Sequence, residues 1–356
     1  MKRDANLDLI RSVAIVFVLL LHFVMGSGWY GMPDLGFAGW TMELCRALFV
    51  SCVPLFLLLS GYLCAEKTLS ARYYLGLVRI YVVYLLSCAL SLFVRIVVLK
   101  EDIGLRQAVG SIFSHQANEY SWYVSMYTGL FLLIPFLNAG YAALKSRRQR
   151  RVLVWTLVYL SAVPSLLNMR LHLYEVWWPR LYPLAYYFIG VYLRGYRPRL
   201  RTGALAGLLL AALLAAATLD HFASTPGPFN WADYTWYDGF QTMAIAVLVF
   251  LLLLSLDLSR CPKGVAGAIG LVAKLSFTVY LFSGVTDLLI YRLGQRLIPP
   301  GYGWLWAYLG CALLSFLAAL GLAWLAEKLI QPLTARISAA LTGLYRRLFP
   351  AEHEGA

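Results

Sequence analysis

Long apolar runs alternate along the chain with short polar or aromatic stretches. The lengths of these runs decide which elements they predict. A helix that crosses a bilayer needs roughly 20 mainly apolar residues, and about ten segments meet that measure: 7–26, 41–64, 73–98, 120–138, 152–168, 181–195, 203–219, 239–257, 271–291 and 304–326. The fifth and sixth are short, and the third is long enough to require tilt or a kink. No internal repeat, heptad or low-complexity tract interrupts the series. The pattern predicts an all-α, polytopic integral membrane protein with about ten transmembrane helices. Residues 1–345 form a single transmembrane domain on this reading, and 346–356, ending in "AEHEGA", form a cytoplasmic tail.

Composition agrees and narrows the field. Hydrophobic residues make up 61% of the 356 positions, and charged residues only 13%. Such a chain has little room for a separate soluble domain. The net charge of +13, from 30 Lys+Arg against 17 Asp+Glu, points to no nucleic acid here, because in a membrane chain the placement of basic residues matters more than their sum. With the N-terminus inside, the inner segments carry about twenty basic residues and the outer ones about six, a strong positive-inside bias. An even number of spans with both termini cytoplasmic preserves it. The inner loop "KSRRQRR" (145–151) then fixes orientation and attracts anionic lipid. The basic start "MKRDANLDLI" has no small-residue cleavage site after it, so the first helix is expected to be retained. The six cysteines lack the paired spacings of zinc or redox motifs and read as small reduced hydrophobes, with no metal implied.

The outer stretches 26–40, 114–123, 171–180 and 220–239 are crowded with Trp, Tyr, Asp, Glu and amides. An interfacial aromatic belt accounts for individual rings. The inner loops are nearly free of tryptophan, however, so a symmetric belt does not account for the excess. An outer cleft lined with rings and carboxylates suits a sugar or another hydroxyl-rich acceptor.

Within "IRSVAIVFVLLLHFVMG" (10–26) two ionisable residues interrupt an apolar run. Arg11 and His22 are separated by roughly three helical turns, so they share one face about 16 Å apart along the axis. Arg11 falls at the cytoplasmic end and His22 in the outer half of the bilayer. Snorkelling to headgroups explains an arginine at that depth, and a satisfied hydrogen bond inside the bundle explains a histidine. Both also fit side chains that line a wet cavity. The other histidines lie outside the apolar runs, which leaves His22 without a partner for a haem.

The pattern "LDLIRSVAIVFVLLLHF" resembles the first-helix signature of the acyltransferase family 3 membrane O-acyltransferases. "VPLFLLLSGYL" (53–63), "VRIYVVYLL" (78–86), "SWYVSMYTGLFLLIPFLN" (121–138) and "AKLSFTVYLF" (273–282) resemble that family's second, third, fourth and penultimate helices. The resemblance implies transfer of an acyl group, usually acetyl, from a cytoplasmic coenzyme A thioester to a hydroxyl or amine beyond the membrane. It implies a bacterial-type inner membrane location, a glycan of the cell envelope as one acceptor class, and acetyl-CoA as donor substrate without a metal. Membrane lipid is a further partner, and an oligomer is compatible with the reading. Two positions depart from the family pattern. Arg79 matches the second of two arginines expected at the start of the third helix, but Gly76 replaces the first, with Arg72 the nearest substitute. Ser283 stands where a histidine is common.

On this resemblance Arg11, Arg79 and Arg72 hold the donor's phosphates through charge-assisted hydrogen bonds. His22 serves as general base on the acceptor hydroxyl, with a covalent acyl-histidine as the alternative. Glu43 enters the second helix near the depth of His22 and is the candidate to orient the imidazole, although Arg46 at i+3 offers it a structural ion pair instead. Glu119 begins the fourth helix at a similar level, and Trp122 and Tyr123 beside it are placed to stack on an acceptor ring. Ser60 in "LLLSGYL" reads as a close-packing Ser-Gly pair. The rival class is a transporter or flippase for a lipid-linked sugar or small metabolite, for which ten helices and an aromatic outer cleft are equally suited. A catalytically silent sensor on the same scaffold is a third reading.

Overall fold

Helix α1 (Ala5–Gly26) is set by contacts at its first turn. Asp4 accepts a hydrogen bond from the Asn6 amide nitrogen at 3.0 Å, the usual way an N-cap satisfies an orphan donor. The Asn6 side chain donates at 2.8 and 2.9 Å to the carbonyls of Leu253 and Leu256, at the frayed end of another helix. The computed structural model describes residues 4–169 and 177–348, and among these it contains helices and no strand. After α1 come α2 (Gly36–Phe49), α3 (Cys52–Cys64), α4 (Ala71–Tyr74), α5 (Gly76–Phe93), α6 (Leu105–Phe113), α7 (Trp122–Ala143) and α8 (Arg147–Ser161). They are followed by α9 (Val163–Leu167), α10 (Tyr182–Gly195), α11 (Thr202–Ser224), α12 (Phe240–Ser255), α13 (Lys263–Leu297) and α14 (Leu305–Leu348).

This is an all-α polytopic membrane protein. Among the described residues, 8 helical segments are long and apolar enough to cross a membrane. They correspond to the expected spans except the fifth and sixth, where α8 has 15 residues and α10 has 14. In the third span α5 runs into a π-helical turn at Val94–Val98, a local widening of the helix of the kind found at kinks. Two helix boundaries bear on these expectations. The run "KSRRQRR" is less a loop than a helix start, because Ser146 and Gln149 close a capping box that begins α8 at Arg147. The expected tail boundary at 345 falls inside α14, which continues to Leu348. Residues 349–356, the outer segment 170–176 and residues 1–3 lie outside the described residues, together with the readings placed on them.

The bundle is organised around α1, which packs against α3, α13 and α14. Ile10, Ala14 and Ile15 are fully buried on it. Helix α10 makes an unusually close crossing with α3. A methyl group on Gly61 would strike the Tyr187 carbonyl, and one on Gly190 would strike that of Leu58. The small residue in "LLLSGYL" therefore permits backbone-to-backbone contact, as small residues do between membrane helices. Near the start of the α3–α4 connection, the Asn138 side chain donates to the carbonyls of Cys64 and Lys67 at 2.7 and 2.8 Å and accepts from the Tyr187 hydroxyl at 2.6 Å. One amide thus joins α3, α7 and α10. Apolar side chains left on the outside, such as Leu208, Leu210, Leu313, Leu314 and Leu317, give α11 and α14 lipid-facing surfaces. All six cysteines are free.

Candidate active site

His22 lies near the outer end of α1 and is 7% exposed. Its Nδ1 is 2.8 Å from Oδ2 of Asp287 on α13. The same oxygen accepts from the Tyr120 hydroxyl at 2.9 Å, and Oδ1 accepts from Ser315 of α14. The Ser315 hydroxyl is itself 2.7 Å from Thr286. The Tyr120 ring lies on the imidazole, with centroids 3.8 Å apart and planes 20° from parallel. One carboxylate, one ring face and two hydroxyls therefore determine how the histidine stands. With Nδ1–H donated to a carboxylate, Nε2 keeps its lone pair for a proton acceptor's role.

The local chain explains why Tyr120 arrives there. Asn118 caps the short turn Glu119–Ser121 by accepting from the Tyr120 nitrogen at 3.0 Å, and donates to the Leu281 carbonyl at 2.7 Å. Gly284 leaves the space that this amide occupies, since any Cβ there would meet the Asn118 side chain. The turn is thereby fixed on α13 next to Asp287.

Two cavities flank this region, called outer and inner after the expected topology. The outer one, of about 570 Å³, is lined by His22, Tyr120, Glu119, Trp122, Arg46 and Trp231, among others. The inner one, of about 580 Å³, contains Arg11, Lys67, Arg79, Tyr123 and Ser60 in its walls. Val18, Val53 and Tyr280 belong to both, so the cavities meet at a partition of these side chains. Arg11, Val18 and His22 follow one another on a single face of α1, as their spacing requires. The Tyr280 hydroxyl donates to the Tyr120 carbonyl at 2.8 Å, and its ring meets Tyr123 edge-on at 5.4 Å.

Three expected placements change. Glu43 is buried but turned away from His22: Ser224 donates to it at 3.2 Å, and the carboxylate on the imidazole is Asp287. Depth alone had suggested Glu43, and depth does not say which face of α2 a residue occupies. Tyr123 lines the inner cavity instead of joining Trp122 on the outer one, because consecutive helical residues point about 100° apart. Arg72 is exposed and lines neither cavity, being on the short α4 ahead of α5. Arg79 does line the inner cavity, where its guanidinium forms a fork with Glu327 at 2.6 and 3.3 Å. Arg11 is 3.2 Å from Asp8.

A family model described as an acyltransferase domain, that of acyltransferase family 3, matches residues 4–324. The chain belongs to this family. No curated protein and no solved structure matches it. Membership of an acyltransferase family favours transferase activity over the transporter reading of the same helices. The acyltransferase also contains site residues that the sequence reading passed over. Asp287 interrupts an apolar stretch of α13, and an ionisable residue inside a membrane helix is a functional candidate by default. That signal was available. Tyr120 carried the belt-like appearance of its neighbours, and Lys67 counted only toward topology.

Proposed function

We propose that this acyltransferase moves an acyl group, acetyl in the simplest case, from a cytoplasmic acyl-CoA to a hydroxyl of an extracytoplasmic acceptor, in particular a glycan of the cell envelope at a bacterial-type inner membrane. The observation that carries this reading is the pair of cavities on the two sides of Val18, Val53 and Tyr280, one with cations and the other with a carboxylate-held imidazole. The donor is a polyanion with a long thin arm. Arg11, Lys67 and Arg79 offer its phosphates the charge-assisted bonds they require, while the arm extends toward the partition and presents the thioester there.

His22 acts as general base. Nε2 takes the proton of the acceptor hydroxyl as its oxygen attacks the thioester carbonyl. The C–S bond then breaks, the coenzyme A sulfur leaves as thiolate, and the imidazolium returns the proton to it. Asp287 holds the ring in the tautomer that makes Nε2 the acceptor and stabilises the imidazolium between the two transfers. Tyr120 and Ser315 hold the carboxylate. Direct transfer is favoured over an acyl-histidine because the ring is fixed from both its Nδ1 and its face, which suits proton movement more than the reorientation a covalent carrier would undergo.

The test uses purified full-length protein in lipid nanodiscs, labelled acetyl-CoA and a cell-envelope glycan fraction. Label is expected to move to the glycan with wild-type protein and not with His22→Ala. If the wild-type protein neither binds acetyl-CoA nor transfers label to any hydroxyl-bearing acceptor, the proposal fails.

A further inference from the structure

The outer cavity contains one charged side chain that acyl transfer, as written above, does not use. Arg46 on α2 is 2% exposed and lines the cavity. Its Nε donates to the Tyr30 hydroxyl at 3.2 Å and its Nη2 to the Thr235 carbonyl at 3.1 Å. The guanidinium carbon is 4.3 Å from the centre of the Phe229 ring and 5.4 Å from that of Trp231. Nη1 makes no hydrogen bond among the described residues, yet it is not one of the polar atoms sealed off from water. The guanidinium is held on two of its nitrogens and against an aromatic face, with the third directed to open space.

Carboxylates are near, but none among the described residues closes an ion pair with it. Glu43, one turn earlier on α2, is engaged by Ser224 at 3.2 Å. Asp34 pairs with His221 at 3.0 Å, and Asp220 accepts from Gln241 at 3.1 Å. These three carboxylates are absent from the cavity wall that Arg46 helps to form. Glu119 is in that wall but exposed, so solvent and salt screen it. Glu43 and Asp220 offset the charge of Arg46 without contact, while Nη1 has no acceptor among the described residues and the planar fork is shaped for an oxyanion. At the mouth, Trp231 and Trp236 are 46% and 47% exposed, with ring centres 5.1 Å apart. Such rings offer apolar faces to a sugar.

We infer that Arg46 binds an anionic oxygen group of the acceptor, a carboxylate or a phosphate, so that the outer cavity selects an acidic sugar over a neutral one. The inference rests on the acceptor-binding role proposed above for that cavity. A neutral sugar offers Nη1 only a hydroxyl oxygen, a weaker acceptor than an anionic one, so the charged ligand gains the stronger bond. The rings supply contact area, and Arg46 supplies the choice.

The experiment titrates the full-length protein in nanodiscs with glucuronate, glucose 6-phosphate and glucose, following tryptophan fluorescence. At least one anionic probe is expected to bind about tenfold or more tightly than glucose, the scale of a hydrogen bond to a charged group. The stronger of the two identifies carboxylate or phosphate. Arg46→Gln removes the preference and Arg46→Lys keeps part of it. Equal affinity for all three probes, or binding of none, overturns the inference from wild-type protein alone, whether or not the glutamine variant folds. So does an Arg46→Gln protein that melts normally and still prefers the anion. Acetylation of the same sugars from acetyl-CoA separates the two claims. Transfer to glucose as readily as to the acidic sugars removes the inference and leaves acyl transfer standing. An Arg46-dependent anion preference with no acyl transfer to any acceptor keeps the anion site and removes the transfer reading.

Discussion

The two cavities are almost equal in volume, about 570 and 580 Å³, and share a partition, but the ionisable groups that line them are held differently. Behind the wall of the outer one, Asp287 gathers His22, Tyr120 and Ser315 and holds a single ring in one orientation. Beside the inner one, Glu327 and Asp8 sit on the arginines that line it, Arg79 and Arg11. Those arginines are 37% and 34% exposed in their side chains, against 8% for His22. Asp287 and Glu327 are both buried and multiply bonded, so the difference lies in their partners: an enclosed imidazole is held in one orientation, whereas a partly exposed guanidinium stays open to a further anion. On the proposed function, the contrast separates the side that performs the transfer from the side that binds the donor.

Removing His22 is the sharpest way to break that contrast. General-base catalysis contributes typically 10²–10⁴-fold, so His22→Ala is expected to lower acyl transfer about 10³-fold while thermal stabilisation by acetyl-CoA stays at the wild-type level. Asp287→Asn comes next, with a loss of about 10²-fold, because an amide can present its NH₂ to Nδ1 and so favour the wrong tautomer. Turnover measured under single-turnover conditions reads both effects. If Asp287→Asn acylates its acceptor at the wild-type rate, the ring is oriented by something else.

How much of this was legible in the chain depends on how local each signal is. The face shared by Arg11, Val18 and His22 follows from helical spacing alone, whereas the length of the third run asks for tilt or a kink without locating the π-helical turn at Val94–Val98. The partner of His22 did not follow. Asp287 is 265 positions away in sequence, so only the packing of α13 against α1 brings the two together. Glu43 was the nearest carboxylate by depth, yet α2 directs it toward Ser224 on α11. Helical periodicity fixes which residues share a face, whereas the direction in which that face points is a property of the assembled bundle. Arg46 shows the same division: its place beside Phe229 and Thr235 depends on a return loop almost two hundred residues downstream.

The inner cavity is tested by smaller changes. Arg11→Ala is expected to weaken acetyl-CoA binding about tenfold, as loss of one charge-assisted contact does, with the rate at saturating donor little altered. Glu327→Gln works in the opposite direction. It releases Arg79 from its fork, and the donor is expected to bind about threefold more tightly, within the range of a partly exposed ion pair. Calorimetric titration with acetyl-CoA measures each. Weaker binding in Glu327→Gln would mean that the carboxylate positions Arg79 for the donor instead of competing with it.

The smallest expected effect is also the one that best separates depth from direction. Glu43 and Asp287 are both buried acids at the outer end of the bundle, 0% and 5% exposed. If burial at that level were enough to influence the imidazole, Glu43→Gln and Asp287→Asn would behave alike. The amide in Glu43→Gln can still accept from Ser224, and Glu43 does not line the outer cavity. Acyl transfer by Glu43→Gln is therefore expected within about threefold of wild type, a change of under about 1 kcal/mol in the barrier. A loss approaching that of Asp287→Asn would place Glu43 in the reaction through a route other than contact with His22, the nearest being the guanidinium of Arg46 one turn away on the same helix.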